Sequence, residues 1–245
     1  IETLIPESEE PSEEESSVTW QVEQLLLQNA NVSIYSEYML PDDQLSIERI
    51  SADASAGVQE NGFNGLLRSL EFRVMEERLP EPIDIWLSGS GTEEHYTLET
   101  LVVRTGRTWF ESAGEYQEQE SIDFDASFTP LSRRDLAAYI EDLPLNEDLR
   151  VEIGASGTLS DIIFTLNASA GGMENLSIRS DLSYGDSLIM NSLQITSQSL
   201  DLQHLTGRDD FPSIGSFSLT GEGSLDIENP EAATWSGTAD ITSLR

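Results

Sequence analysis

Over most of its length the chain alternates apolar and polar residues one by one. Val18, Trp20 and Val22 alternate with Thr19, Gln21 and Glu23, and Leu45 and Ile47 oppose Ser46 and Glu48. Ile122, Phe124, Ala126 and Phe128 oppose Asp123, Asp125 and Ser127. A period of two describes a strand with one face on something dry and the other in water. The pattern predicts strands from residue 18 and over 32–38, 44–54, 63–74, 83–92, 96–104, 108–116, 122–128, 149–158, 161–170, 174–182, 187–196, 217–224 and 234–242. Thr105-Gly106-Arg107, Gly171-Gly172 and Tyr184-Gly185-Asp186 separate neighbouring runs. Connections this short join antiparallel strands, so the runs form a meander.

One strand recurs. Ile83-Asp-Ile-Trp-Leu-Ser-Gly-Ser-Gly-Thr92 has a second copy at Leu149–Thr158 and a third at Phe217–Ser224. Gly91, Gly157 and Gly223 lie 66 residues apart, with Leu87, Ile153 and Leu219 in the same register. A fixed period of this kind marks a unit stacked on copies of itself. Each copy follows a Pro-bearing connection: Pro80 and Pro82, Pro144, and Pro212. Before the second, the period changes. Leu131, Leu136, Ala137, Tyr139 and Ile140 form a helical stripe over 130–142, with Ser132 at the N-cap and Asp135 three residues on, a capping-box spacing. The corresponding place in the next unit is 199–205, and in the preceding one it falls inside a strand. Each unit is thus a short helical or irregular element, a Pro-containing link, the signature strand and about three more strands.

Residues 1–17 differ. Their Glu/Ser/Pro tract cannot bury apolar area and is expected to be a disordered or extended acidic linker. The chain opens on Ile1 and holds no apolar run long enough to span a bilayer, so a middle segment of a longer protein is expected. Net charge is −34, from 46 acidic residues against 12 arginines and no lysine. Such a surface repels phosphate backbones and argues against nucleic acid as a partner. It resembles the surfaces of high-salt proteins, where repulsion is screened. With no cysteine there is no disulfide, thiol nucleophile or Cys-ligated metal.

Half-apolar strands in sequence can close as a sandwich or barrel, or remain an open, curled sheet. A helix inserted every 66 residues does not suit a sandwich. The expected fold is all-β with short helices: over residues 18–245, an extended antiparallel meander curled into a taco-like groove of about 66-residue repeats. Fourteen or so strands at roughly 4.8 Å each make a trough on the order of 65 Å long.

That layout resembles the AsmA-like superfamily, and within it the TamB type (translocation and assembly module) of bacterial envelope protein. The residues that carry the resemblance are the repeated strand–Ser/Gly pattern at Leu87–Thr92, Ile153–Thr158 and Leu219–Ser224; the Pro130–Ile140 segment leading into 149–161; and the opening Trp20, Leu25 and Ile34. The resemblance implies a hydrophobic β-groove without enzymatic activity or cofactor, in the periplasm or cell envelope. It implies phospholipid or acyl chains as ligands, in lipid transport between membranes or outer-membrane protein assembly. It also implies anchoring to the inner membrane, and an outer-membrane β-barrel partner, through segments absent from this chain.

Catalytic readings find little support. His95 and His204 are far apart in sequence and lack a neighbouring nucleophile pattern, so both are expected at the surface. Gly89-Ser90-Gly91 is not a phosphate loop without a lysine, and its recurrence suits a bend or bulge. The acidic pairs Asp42-Asp43, Glu93-Glu94 and Asp209-Asp210 lack a calcium-loop spacing and read as solvated surface, with no metal expected. The groove candidates are Trp20, Leu70, Phe72, Ile85, Leu87, Trp109, Phe124, Val151, Ile153, Phe164, Leu219 and Trp235, with Trp86 also expected to face inward. The alternative to a lipid groove is a repetitive sandwich or solenoid, as in an adhesin stalk, with no small ligand. A hydrolase or lyase on a β-helix would need carboxylates clustered at one rung, and the acids alternate with apolar residues instead.

Overall fold

A computed structural model describes residues 19–35, 44–59, 62–76, 80–118, 121–140, 143–158, 160–184, 188–208, 214–225 and 233–244. The tract 1–17 and the pairs Asp42-Asp43 and Asp209-Asp210 lie outside them. The described residues form one sheet of thirteen strands: β1 Trp20–Tyr35, β2 Gln44–Gln59, β3 Gly62–Glu76, β4 Ile83–Thr92, β5 His95–Thr105, β6 Thr108–Gln117, β7 Ser121–Leu131, β8 Leu149–Gly157, β9 Asp161–Ala170, β10 Met173–Tyr184, β11 Leu188–Leu200, β12 Ile214–Leu225 and β13 Thr234–Leu244. Spatial order equals chain order, and every pairing is antiparallel. The meander is curled and does not close into a barrel. Twelve inter-strand spacings give a length of about 58 Å.

The 66-residue period is four strands. It places the signature strands at β4, β8 and β12. Alternate connections fall on opposite rims. One rim holds the tight β4–β5, β6–β7 and β8–β9 turns, and we call it the hairpin rim. The other, the helix rim, holds the Pro-bearing links and two short helices, α1 Arg133–Leu136 between β7 and β8 and α2 Leu202–Thr206 between β11 and β12. The helices sit at corresponding points of successive units, α2 displaced by three residues.

Three expectations change. The two opening strands are one 16-residue strand, β1. It stays paired to β2 through register shifts between Val22 and Leu25, between Leu27 and Ala30, and between Ala30 and Val32, with Asn29 at φ 51° and Arg49 at φ 56°. Each bulge adds one residue to one strand and reverses the phase of alternation, which breaks the sequence pattern at Leu25-Leu26-Leu27. The predicted helix over 130–142 shortens to four residues, and the Ser132 side chain makes no cap bond. Asp135 is turned away to the β5–β6 hairpin. There its Oδ2 accepts from Arg107 N at 2.8 Å, Thr108 N at 2.7 Å and Thr108 Oγ1 at 2.8 Å. Lastly, a sandwich or solenoid is not formed: the described strands pack against their chain neighbours, and no second sheet lies across either face.

Of the signature glycines, Gly157 has φ 131°, and a Cβ there would run into the Asp161 carbonyl oxygen. Only glycine fits that turn into β9.

Candidate functional site: the inner face of the sheet

Directly paired residues of antiparallel strands lie on the same face, so the pairings trace rows of side chains running along the whole sheet. One row passes through every strand: Leu27, Ala52, Leu70, Leu87, Leu101, Ser112, Ala126, Ile153, Leu166, Ile178, Ile195, Leu219 and Ala239. Ser112 is its one polar member. A parallel row nearer the helix rim runs from Phe72 through Ile85, Val103, Phe110, Phe128 and Val151 to Phe217 and Ile241. None of these residues is charged, in a chain that is 24% charged.

A third row, nearer the hairpin rim, alternates in size. Odd strands supply Leu25, Leu67, Leu98, Phe124, Phe164 and Leu193; even strands supply Ala54, Gly89, Gly114, Ala155, Ser180 and Gly221. The large side chains lean over the small positions: a Cβ on Gly114 would stand 3.1 Å from the Phe124 ring. Size alternation of this kind lets a curled face be lined without crowding. Between β2 and β5 the floor stays open. Ala54, Ala56, Gly89 and Gly91 underlie an apolar cavity of about 460 Å³, walled by Phe63, Leu67, Tyr96 and Leu98.

Burial identifies this as the inner face. Ala126, Ala168, Ser112, Ser180 and Ser197 are buried, and each belongs to an apolar row. Among the described residues no second layer lies over them, and side chains leaning in from neighbouring strands cover them. The cover is incomplete. Ala126, Ala168 and Met173 are the only buried apolar residues described. Exposure climbs toward the edge strands, reaching 62% at Leu25 and 58% at Ile241. The Ser112 and Ser197 hydroxyls are buried on this face without a partner.

The opposite face is polar. Glu71, Glu111, Ser127, Glu152, Asn167 and Ser177 occupy positions between the apolar rows. A depression of about 580 Å³ there is walled by Glu99, Glu111, Asp125 and Glu152 and opens to water. Arg73 Nε and Nη2 donate to Asp84 Oδ1 and Oδ2 at 2.5 and 2.8 Å. Those bonds hold the Asp84 carboxyl below its ordinary value and raise the guanidinium.

Eleven of the twelve groove candidates stand on the inner face. Trp109 does not, nor does Trp86. Trp86 lies between the inward Ile85 and Leu87, and Trp109 pairs with Arg104 beside the inward Phe110. Adjacent residues of a strand point to opposite faces, so a run of two or three apolar residues always sends some outward. Outside, the two indoles stack at 6.5 Å between centroids, and Trp109 Nε1 donates to Glu111 Oε1 at 2.6 Å. Strict alternation would have added Phe128, Leu166, Ile178 and Ile195 to the candidates, since each sits two residues from one already named or in a period-two run.

The histidines end on opposite rims. His95 Nε2 lies 3.6 Å from Glu115, and His204 Nε2 lies 2.5 Å from Glu147 Oε1. Among the described residues no group of three or more His, Asp or Glu is placed to hold a metal ion, and no helix is long and apolar enough to cross a membrane. Compared with known protein families, with curated proteins and with solved structures, the chain matches none.

Proposed function

We propose that the sheet is a groove for aliphatic chains, the working segment of a non-enzymatic cell-envelope protein with the layout of the AsmA-like, TamB-type proteins. In this reading it acts in the periplasm and conveys or shields phospholipid acyl chains. The observation that supports it most is the continuous uncharged row along all thirteen strands with no second layer over it. A sheet with one apolar face normally buries that face against another element. Here the described chain supplies none, so a ligand with aliphatic surface is the natural cover. At about 25 cal/mol per Å² of apolar area removed from water, a single acyl chain laid along such a row is held by several kcal/mol.

Mass spectrometry of lipids extracted from the purified protein tests the reading. Photo-crosslinkers at Leu87 and Ile153, both on the central row, are expected to capture acyl chains, and one at Glu152 on the outer face is not. Recovery of protein free of lipid, with no crosslink from either inner position, would sink the proposal.

A further inference from the structure

The signature glycines recur in all three units, and one unit leaves them open toward the preceding strand. A fourth row of the inner face lies outside the third, toward the hairpin rim, and passes through Gly91, Gly157 and Gly223. On it Gly157 lies between Ile122 and Ile162, and Gly223 between Met190 and Trp235. The Trp235 ring stands over both glycines of β12: a Cβ on Gly221 would come within 2.4 Å of it and one on Gly223 within 3.3 Å. Gly91 has no such neighbour on β3, because Gly65 takes the place held by Ile122 and Met190.

Ala56 of β2 follows on the far side of Gly65. Three small residues therefore stand side by side between Val22 of β1 and Tyr96 of β5. Ala54 and Gly89 extend the floor one row inward, on either side of Leu67. At the strand and residue spacings of a sheet, this floor measures roughly 10 Å by 7 Å. It underlies the apolar cavity of about 460 Å³, a volume within the range of small-molecule sites. The Phe63 ring approaches Gly65 and the Tyr96 ring approaches Gly91, and both rings stay exposed. Tyr96 Oη donates to the Glu93 carbonyl at 3.5 Å, which sets the polar end of the cavity at the hairpin rim.

We infer that this hollow seats the fused-ring body of a sterol-type terpenoid. A straight acyl chain needs the width of one row and follows the length of the sheet. A floor stripped of side chains over two rows, with an aromatic ring on two sides, matches a rigid body with a flat face instead. Such a body loses little conformational freedom on seating, whereas a flexible chain must be ordered there. The exposed Glu93 and Glu94 at that rim favour a neutral polar end over an anionic one. The inference rests on the aliphatic-groove reading above and adds to it a ligand class and a place in the groove.

Native mass spectrometry and calorimetry on the full chain test it with two uncharged, maltose-headed amphiphiles below their micelle concentrations. Dodecyl maltoside carries a straight tail, and glyco-diosgenin carries a fused-ring steroidal body. Glyco-diosgenin is expected to bind on the order of tenfold more tightly. Ala56→Phe, which sets a ring on the open floor, is expected to abolish that preference and leave dodecyl maltoside binding and the urea midpoint unchanged. Ala54→Leu fills the same floor with a smaller group and is expected to reduce the preference. Ile162→Phe, on the same row beside the second unit's glycine, is expected to leave it intact. Equal binding of the two amphiphiles, or a preference that survives Ala56→Phe, overturns the inference while the groove stands. Loss of the preference in Ile162→Phe as well also overturns it, since ring binding would then lie outside the hollow. If neither amphiphile binds, the groove reading fails and this inference with it.

Discussion

The two rims of the sheet close the same thirteen strands by different means. On the hairpin rim, turns are held mainly locally and by backbone, with one carboxylate from a turn, Glu93 Oε1, accepting from Phe63 N at 3.2 Å. Thr158 Oγ1 accepts from Asp161 N three residues on, and Thr92 Oγ1 does the same for His95 N. Neighbouring turn tips are joined by main-chain bonds, Glu118 N to Glu94 O and Tyr184 N to Ser160 O, both at 2.7 Å. On the helix rim, carboxylates from long connections reach into the amides of other segments. Asp135 serves the β5–β6 hairpin, Glu147 Oε2 accepts from Gly171 N at 2.7 Å, and Asp148 Oδ1 accepts from Arg133 N at 2.8 Å. The acceptors come from the long β7–β8 connection, and two of the three places they serve are the tight β5–β6 and β9–β10 turns, whose amides they satisfy. The helix rim is therefore where single side chains carry most of the architecture.

The comparison presumes that a dry floor joins the rims, and the largest expected effect comes from breaking it. Ile153→Asp places a carboxylate in the middle of the central row, between Ala126 and Leu166. A cost of about 3 kcal/mol is expected from burying an unpaired charge on an apolar surface, together with loss of co-purified lipid. Glu152→Gln, one residue away on the outer face, is expected to change neither. Urea unfolding midpoints and lipid occupancy read both. Equal destabilisation by the two would mean that the faces are not distinct.

The next effect separates the rims. Asp135→Ala removes three hydrogen bonds and strands the buried Thr108 amide, with an expected loss of about 2–3 kcal/mol. Its counterpart 66 residues on, Asp201, caps α2 by accepting from His204 N at 3.0 Å. Asp201→Ala is expected to cost about 1 kcal/mol, as for an ordinary N-cap. On the hairpin rim, Ser160→Ala leaves the Thr158–Asp161 turn bond in place and is expected to fall within about 0.5 kcal/mol. Denaturant titration of the three variants checks the order, and a hairpin-rim cost equal to that of Asp135 would abolish the distinction.

Much of this was legible in the sequence where alternation is unbroken. Ile83–Thr92 and Asp161–Ala170 are strands to the residue, because a run with no bulge shows its phase directly. The 66-residue spacing already fixed that Leu87, Ile153 and Leu219 share a row, since equal spacing and equal strand count keep the register. What stayed hidden were the phase reversals. The bulge near Glu99 in β5 and that near Asn191 in β11 each let one strand keep its apolar side inward on both halves, at the cost of the pattern. Trp86 and Trp109 face outward for a different reason: each adjoins an inward apolar residue, and parity along the strand, not bulk, decides the face. The role of Asp135 was hidden because its partners are 27 and 28 residues away, on a hairpin that no local capping rule points to. That most of the described arginines stand at one rim needed the topology, as they are spread from 49 to 208 in sequence.

The smallest effect expected is on the outer face near the helix rim, and it concerns pH. Asp84 is held below the ordinary aspartate value of 3.8 chiefly by its bonds from Arg73. A carboxyl with a depressed folded pKa binds its proton more weakly folded than unfolded, so its contribution to stability is full above 3.8. It is lost as pH falls from that value through the lower folded one. Because the pair is solvent-accessible, salt screens it and the contribution is modest. The expected outcome is a small acid-side decrease in the urea midpoint of the wild-type protein that is shallower in Asp84→Asn and is further flattened by molar salt. Wild-type and variant curves that stay parallel from neutral pH to below 3.8 would show that the Arg73–Asp84 pair contributes nothing.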